Sequence, residues 1–224
     1  MNIKINKILS LPRSLFINIH LFGLKKGIKM PILISNKFKT KGLHRGAIKI
    51  EAPLKFGMIE IGFWGTIDIQ DKGKGLFMLE DGGSVIFKGK ARIGSGSSIR
   101  AKGTIEFGKE FKNNKNLHIG CVKKIIFHDD VLIGYDVWII DNDGGHPIYD
   151  LESGKKMENS KPIEIGEHVW IGAFVDIRKG VKVSRNSVVA WKSLVTKKFE
   201  TENCIIAGTP AKIIKENINW KLYE

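Results

Sequence analysis

Residues 165–195 read IGEHVW-IGAFVD-IRKGVK-VSRNSV-VAWKSL-V, so that an aliphatic residue returns at every sixth position. Four positions after each of the first five aliphatic residues, the side chain is small or β-branched. A period of six fits neither an amphipathic helix nor a single alternating strand. It is typical of short strands joined by tight turns, whose successive coils stack on one continuous apolar column. The stretch therefore predicts a β-solenoid.

The same period occurs earlier in the chain, in other phases. One ladder starts at Phe87 and a second at Cys121, and the phase slips by two residues just before the second. A slip of that size predicts one distorted turn within the solenoid. Between Ile139 and Ile165 the spacing rises to 26 residues, and the polar stretch 141–162 is expected to be a loop extruded from the coil.

Composition fits a soluble, enzyme-sized chain. Of its 224 residues, 42% are hydrophobic and 27% are charged, which excludes a disordered or a membrane-integral protein. The two cysteines, Cys121 and Cys204, lie among aliphatic residues. We expect them to be reduced core side chains, as in a cytoplasmic protein, rather than a disulfide.

The formal net charge of +14 is the main oddity of the composition. Such a charge favours nucleic acid, an anionic membrane surface, or an acidic or phosphorylated ligand. No nucleic-acid reader motif occurs in the chain. The simplest interpretation is that solvated lysines, dispersed through turn positions, account for most of the charge.

The first 58 residues differ from the repeats. Apolar side chains are spread among basic ones from Lys4 to Lys26, which predicts a short basic amphipathic helix bent near Pro12. No apolar run is long enough to span a membrane, and no signal-peptide cleavage site follows it. We expect this helix to pack over the open end of the solenoid and hide its edge strand. The alternative is a peripheral contact with an anionic membrane surface, and one helix could do both.

Three motifs near the end of the chain carry a family resemblance. The chain reads IGEHVWIG from Ile165, SLVTKK from Ser193 and AGTPAKIIK from Ala207. In this combination it resembles the hexapeptide-repeat acyltransferases, and more narrowly the sugar and polysaccharide O-acetyltransferases of that superfamily. The resemblance implies a left-handed parallel β-helix with three hexapeptides in each triangular coil, assembled as a homotrimer.

The expected fold class is all-β, with helical additions at both ends. Residues 1–58 would form a basic N-terminal segment with a helix and irregular first coils. The left-handed β-helix would occupy 59–203, including the extruded loop, and 204–224 would form a C-terminal cap with a short helix.

The extruded loop contains a single histidine, His146, in the run GGHPI. A histidine with an ordinary pKa of about 6.5 accepts a proton at neutral pH, which acyl transfer requires because a free alcohol is a poor nucleophile. The loop resembles that of the sugar O-acetyltransferases, and the resemblance implies that His146 is the general base of an acetyl-CoA-dependent reaction. Asp143, or else Asp141, would orient the imidazole. Both aspartates could instead be turn-forming residues.

The resemblance also implies a groove for acetyl-CoA between neighbouring subunits. Carried over position by position, the residues that would line this groove are Ala173, Trp191, Thr196, Lys197, Lys212 and Lys215. Trp191 departs from the family, which has a small residue there, and it would either stack against the coenzyme or narrow the groove. Trp138 and Trp170 point outward at matching repeat positions, and we expect them to pack in a subunit interface.

Three other functions are conceivable on this fold. An N-acetyltransferase acting on an amino-sugar nucleotide would use the same histidine base. A zinc hydratase of the carbonic anhydrase type needs three converging histidines, and the candidates His118, His128, His146 and His168 include no close pair. A non-catalytic scaffold would have uninterrupted coils. The sequence favours a cytoplasmic O-acetyltransferase that acts on a sugar hydroxyl of a surface glycan.

Overall fold

The computed structural model describes residues 3–67, 69–70 and 73–222. Three helices come first, namely α1 (Ile3–Leu9), α2 (Leu11–Phe22) and α3 (Leu24–Gly27). The strands that follow are two to five residues long and form the three faces of a triangular prism. None of the helices in the described ranges is long and apolar enough to cross a bilayer.

Each face is one sheet, and the strands from β1 to β20 pass from face to face in the order A, B, C. Face A contains β1 (Ile32–Ile34), β4 (Ile59–Ile61), β7 (Ala91–Ile93), β10 (Phe111–Asn113), β13 (Leu132–Ile133), β16 (Trp170–Ile171), β19 (Val188–Val189), β21 (Ile205–Gly208) and β22 (Ala211–Lys215). Face B contains β2 (Phe38–Lys41), β5 (Gly75–Leu79), β8 (Ser98–Ala101), β11 (His118–Cys121), β14 (Trp138–Ile140), β17 (Asp176–Arg178) and β20 (Leu194–Val195). Face C contains β3 (Ile48–Ile50), β6 (Ser84–Phe87), β9 (Thr104–Phe107), β12 (Lys124–Phe127), β15 (Ile163–Ile165) and β18 (Lys182–Val183).

Neighbouring strands within a face are parallel, except for the last pair. Successive coils therefore stack along the prism axis at the usual strand spacing of about 4.8 Å. The fold is the left-handed parallel β-helix that the family resemblance implies.

The period of six residues corresponds to one step from face to face. The aliphatic residues of the opening stretch occupy faces C, A, B, C, A and B in turn, and all are fully buried: Ile165, Ile171, Ile177, Val183, Val189 and Val195. Three steps complete a coil, so that residues 18 positions apart lie in register. The repeat in the sequence is thus the side-chain column of the core.

The earlier coils are longer, which corrects the expected single phase slip. Phe87 pairs with Phe107, and Phe107 pairs with Phe127, so these coils take 20 residues, against 18 between Ile171 and Val189. The two surplus residues lie at the corner between faces B and C in successive coils. The three phenylalanine rings stack at centroid distances of 5.1 and 5.4 Å and fill the wider coils.

The C-terminal end also differs from the expectation of a short helix. β22 folds back antiparallel on β21, and the described residues after Lys215 are irregular. Ile213 of β22 packs against the core. Pairing of β22 with β21 satisfies the backbone of the last strand of face A, which would otherwise be an open sheet edge.

The N-terminal helices cover the opposite edge of face A. The Asn18 side-chain amide donates to the Ile32 carbonyl (2.7 Å) and its oxygen accepts from the Ile32 N–H (3.1 Å). The Ser14 hydroxyl accepts from the Ile34 N–H (3.0 Å). Helix side chains thus replace the missing neighbour of β1, which is the capping role expected from the sequence.

Candidate active site

Two departures from the repeat lie at one corner of the prism, between faces B and C. The surplus residues of the longer coils lie there, and the segment 141–162 leaves the coil there, between β14 and β15. A cavity of about 400 Å³ lies at the same corner. Its lining consists of Glu80, Arg100, Lys102, Gly120, Cys121, Val122, Ile140, Asn142, Asp143, Gly144 and Arg178.

The extruded segment is an ordered hairpin. Near its base the Asp143 N–H donates to the Asn159 carbonyl (2.8 Å). Further out, the Met157 N–H donates to the Ile148 carbonyl (2.8 Å). His146 lies between these two hydrogen-bonded positions, so the hairpin holds it at a defined place beyond the rim of the cavity.

Two consecutive glycines direct the chain into His146. Gly144 and Gly145 have φ values of 63° and 51°, in the left-handed region that glycine adopts without strain. The Gly144 N–H donates to the Asn142 side-chain oxygen (2.9 Å), which fixes the bend. The His146 side chain is exposed, and within the described chain its ring has no hydrogen-bond partner. The imidazole is therefore accessible to a substrate.

Asp143 is engaged by a cation in this arrangement. Its carboxylate forms an ion pair with Lys179, whose ammonium also donates to the Glu158 carbonyl (2.8 Å). Within the described residues, no hydrogen bond joins Asp143 to His146. The Asp143–Lys179 pair ties the base of the hairpin to the next coil.

Asp141 has a different environment. It is fully buried, and its carboxylate accepts the backbone N–H groups of Val122 (2.8 Å), Lys123 (2.7 Å) and Lys124 (2.9 Å). These groups belong to the widened turn of the preceding coil, so Asp141 closes that turn. Burial, together with the negative charge of Asp141, raises the pKa of the adjacent Cys121 thiol. This thiol stays protonated and is not a nucleophile.

Cations line the cavity beside the hairpin. Arg100 pairs with Glu80, and the Arg178 guanidinium lies 3.3 Å from the Asp176 carboxylate. Lys102 has no partner among the described residues. The cavity therefore offers hydrogen-bond donors that a hydroxyl-rich molecule can use.

The residues expected to bind acetyl-CoA are divided between two corners. Thr196 and Lys197 follow β20 at the corner between faces B and C, on the His146 side, and both are exposed. Ala173 and Trp191 lie at the other end of face B, at the corner with face A. A single chain does not bring these residues into one groove.

Lys212 and Lys215 lie on β22, at the edge of face A, and both are exposed. Lys212 is near the corner between faces A and B, because the turn just before it is bonded there: the Thr209 hydroxyl donates to the Lys192 carbonyl (3.3 Å). Their ammonium groups form no ion pair within the described chain. They are therefore available to an anionic ligand at this end of the prism.

Trp191 is part of an aromatic row that the sequence interpretation missed. Its ring, 62% exposed, stacks on Phe174 at 5.9 Å, and Phe174 meets Tyr135 edge-on at 5.3 Å. The three residues follow the turn positions of successive coils. The backbones of neighbouring coils approach closely here, since a Cβ at Gly172 would lie 2.9 Å from the backbone nitrogen of Trp191. The signal in the sequence was an aromatic residue recurring just after the face A strands.

The outward tryptophans each have an aromatic neighbour in their own chain. Trp138 stacks on His118 at 4.2 Å, and Trp170 lies 6.1 Å from Trp220. Both remain partly exposed, at 44% and 41%. Each therefore has a free surface that a neighbouring subunit could cover.

The candidate histidines for a metal have separate surroundings. His128 lies 2.9 Å from the Glu164 carboxylate, whereas His168 contacts the Asp130 carboxylate (2.6 Å) and the Trp220 carbonyl (2.9 Å). In the part of the chain that the structure describes, no three His, Cys, Asp or Glu side chains are grouped as metal ligands.

Comparison with known proteins shows that the chain is similar to proteins named as sugar O-acetyltransferases. The chain is 37% identical over 131 residues to a polysialic acid O-acetyltransferase of Escherichia coli O1:K1, covering 58% of this chain and 39% of that protein. It is 31% identical over 156 residues to a putative lipopolysaccharide biosynthesis O-acetyl transferase of Escherichia coli K12, covering 65% and 79%. No protein-family profile matches the sequence.

A solved structure agrees with these relatives. The crystal structure of a polySia-specific acetyltransferase superposes with a TM-score of 0.65 at 25% identity, covering 86% of this chain and 73% of that one. The chain spans only 39% to 56% of the length of the first three curated relatives that it matches.

Proposed function

The chain belongs to the hexapeptide-repeat acyltransferase superfamily, and we propose that it transfers an acetyl group from acetyl-CoA to a hydroxyl of a sugar or surface polysaccharide precursor. The observation that carries this proposal is the placement of His146. An exposed imidazole is held by an ordered hairpin next to a cavity rich in hydrogen-bond donors. The relatives named for polysialic acid and lipopolysaccharide support a sugar acceptor with oxygen as the nucleophile.

In the proposed reaction His146 removes the proton of the acceptor hydroxyl as its oxygen attacks the acyl carbon. Acetyl-CoA supplies the activated acyl group as a thioester. The protonated imidazole then returns the proton to the departing sulfur, so that the products are an acetyl ester and a free thiol. General base catalysis of this kind contributes roughly 10²- to 10⁴-fold to the rate.

The acetyl-CoA site requires two subunits in this proposal. Thr196 and Lys197 would come from the corner between faces B and C of one subunit, and Ala173 and Trp191 from the corner between faces A and B of its neighbour. Lys212 and Lys215 would supply charge to the phosphates. We place the reaction in the cytoplasm, because the donor is a metabolic thioester and both cysteines are unpaired.

Release of free thiol from acetyl-CoA, measured with a panel of sugars and nucleotide sugars, tests the proposal. His146→Ala is expected to lower turnover at least about 100-fold, because the acceptor hydroxyl would lose its proposed general base. His128→Ala is the matched control, since His128 lies on another corner, and it should keep full activity. Undiminished turnover in His146→Ala would remove the proposed base.

The role proposed for Asp143 has its own test. To orient His146, its carboxylate would have to exchange Lys179 for the imidazole. Asp143→Asn should then lower kcat by about 10-fold or more, whereas Lys179→Met should leave kcat unchanged or raise it. Equal losses in the two variants would show that the pair only anchors the hairpin.

A further inference from the structure

The positive charge of the protein is concentrated at one end, contrary to the even distribution expected from the sequence. Residues 1–50 contain 11 Lys and Arg and no Asp or Glu. The remaining 174 residues contain 26 Lys and Arg against 23 Asp and Glu. Nearly all of the net charge therefore belongs to the helices and first coil, far from the hairpin of His146.

The N-terminal helices bury both apolar and polar side chains against the prism. Ile17 and Leu21 of α2 join the core, and beside them the polar side chains of Asn6, Ser10, Ser14 and Asn18 are buried as well. These side chains bond to the loop and strand at the open edge of the prism; the Ser10 hydroxyl, for example, accepts from the Asn36 N–H (3.1 Å). The edge strand needs hydrogen-bond partners, and the buried polar side chains of the helices provide them.

The outward side of the same helices is apolar. Ile5, Ile8 and Leu9 of α1 are more than half exposed, and Phe16 of α2 is 73% exposed. Leu24 of α3 is 67% exposed. A soluble surface helix normally presents polar side chains to water, and a group of large exposed apolar side chains on neighbouring helices is typical of an interaction site.

Unpaired lysines lie at the α3 end of this apolar side. Lys25, Lys26 and Lys29 are exposed, and none pairs with a carboxylate among the described residues. By contrast, the cation on the flank nearer the prism, Lys7, is held by Glu60 (2.6 Å). The uncompensated charge thus lies on the same outer surface as the exposed apolar side chains.

We infer that the N-terminal end of the prism docks on an anionic lipid bilayer, with α1 and α2 lying in the membrane interface. Apolar side chains that can enter the acyl boundary, together with neighbouring lysines that can meet anionic headgroups, are the composition that suits such a surface. If a second copy of the chain docked here through the same surface, two uncompensated cationic surfaces would face each other and repel. A nucleic acid would use the lysines but would leave the isoleucines and Phe16 exposed to water.

Sedimentation of the full chain with vesicles tests the inference independently of catalysis. Vesicles of phosphatidylcholine with phosphatidylglycerol should bind the protein, whereas vesicles of phosphatidylcholine alone should bind it much more weakly. Replacing Lys25 and Lys26 by Gln should weaken binding roughly 30-fold, because each lysine near an anionic surface contributes about 1 kcal/mol to the free energy of membrane binding. Replacing Ile8 and Phe16 by Ser should weaken it at least about 10-fold.

Matched control variants lie on the hairpin, at the corner between faces B and C. Leu151→Ser removes a side chain that is 99% exposed, and Lys155 and Lys156 replaced by Gln remove two exposed lysines. Both controls should bind vesicles as the wild type does. Circular dichroism of each variant checks that the fold is retained.

Three results would overturn the inference. The wild type could fail to sediment with anionic vesicles, or the Ile8 and Phe16 variant could bind as tightly as the wild type. That variant could also change the oligomeric state of the protein in the absence of lipid. The last result would show that a second copy of the chain, rather than a membrane, covers the apolar side.

Discussion

Asp141 and Asp143 are two residues apart, yet they have unrelated roles in the structure. The buried Asp141 carboxylate accepts hydrogen bonds from three consecutive backbone N–H groups of the preceding coil. Asp143 lies outside the core and meets Lys179. The sequence presents them as equivalent turn residues, and only the direction of each side chain separates them.

We predict that Asp141→Ala lowers the free energy of unfolding by about 3 kcal/mol or more. Three donors would lose a charged acceptor, and a buried group left without its partner costs about 1–3 kcal/mol. Asp143→Ala is the control and should cost less than about 1 kcal/mol, as expected for an ion pair near the surface. Urea unfolding measures both, and equal losses would contradict the distinction.

His168 holds the end of the chain against the corner between faces C and A. Its ring stacks on Trp220 at 4.2 Å and meets the Asp130 carboxylate and the Trp220 carbonyl. Partial burial works against the charged ring, but the hydrogen bonds to Asp130 and to the Trp220 carbonyl raise the pKa of His168 above its usual value. The folded state therefore binds this proton more tightly than the unfolded chain does.

A pH dependence of stability follows from that shift. Because the folded pKa is raised, the contribution is fully present below the unfolded value of about 6.5 and is lost as the pH rises through the folded value. We predict that the thermal midpoint of the wild type falls over this window more than that of His168→Asn. Asparagine suits the left-handed backbone here, as Asn186 does one coil further on. Parallel pH profiles would contradict the prediction.

At the scale of elements, α2 acts as a substitute strand for face A. Its residue Asn18 makes both hydrogen bonds that a neighbouring strand would make to Ile32. We predict that Asn18→Ala lowers the free energy of unfolding by about 2–4 kcal/mol, because it leaves a buried N–H and a buried carbonyl unpaired.

The matched control lies on the opposite side of the same helix. Phe16→Ala removes a side chain that is mostly exposed and should change stability by no more than about 0.5 kcal/mol. Denaturant unfolding of both variants measures the two changes in the free energy of unfolding. A large loss for Phe16→Ala would mean that its ring is buried in the protein in solution.

The strands of the prism were predictable because each coil repeats the same local pattern. Ile165 and Ile171 could be assigned to the core from their spacing alone, and both are fully buried. The widened corner was harder to predict, because the aliphatic residues of a 20-residue coil still recur close to every sixth position. The missing C-terminal helix shows the limit: Ala211–Lys215 has helical residues, yet the free edge of face A recruits it as a strand.

At the scale of the whole molecule, the proposed site needs more than one chain. Thr196 and Lys197 lie at one end of face B and Ala173 and Trp191 at the other, and Trp138 on that face is partly exposed. We predict a homotrimer with three times the chain mass of 25.1 kDa, measured by analytical ultracentrifugation.

A pair of substitutions tests whether face B belongs to the interface. Trp138→Glu is expected to dissociate the trimer and abolish acetyl transfer, because it would bury a charge without a partner. Ile67→Glu, at a side chain that is 95% exposed away from the strands, should leave the mass unchanged. A monomeric wild type with full activity would contradict the proposed arrangement.

The sequence by itself determined the solenoid, the buried residue at every sixth position and the hairpin with its lone histidine, because each of these is written in a local pattern. Only the tertiary structure decided which aspartate is buried, that the repeat widens at one corner, and that the N-terminal helices present their apolar side outward. Those features depend on which backbone groups of distant coils lack hydrogen-bond partners. A local sequence pattern does not show which groups these are. α2 lies along the unpaired edge of β1 because Ser14 and Asn18 bond to it, and Phe16 faces outward as a consequence.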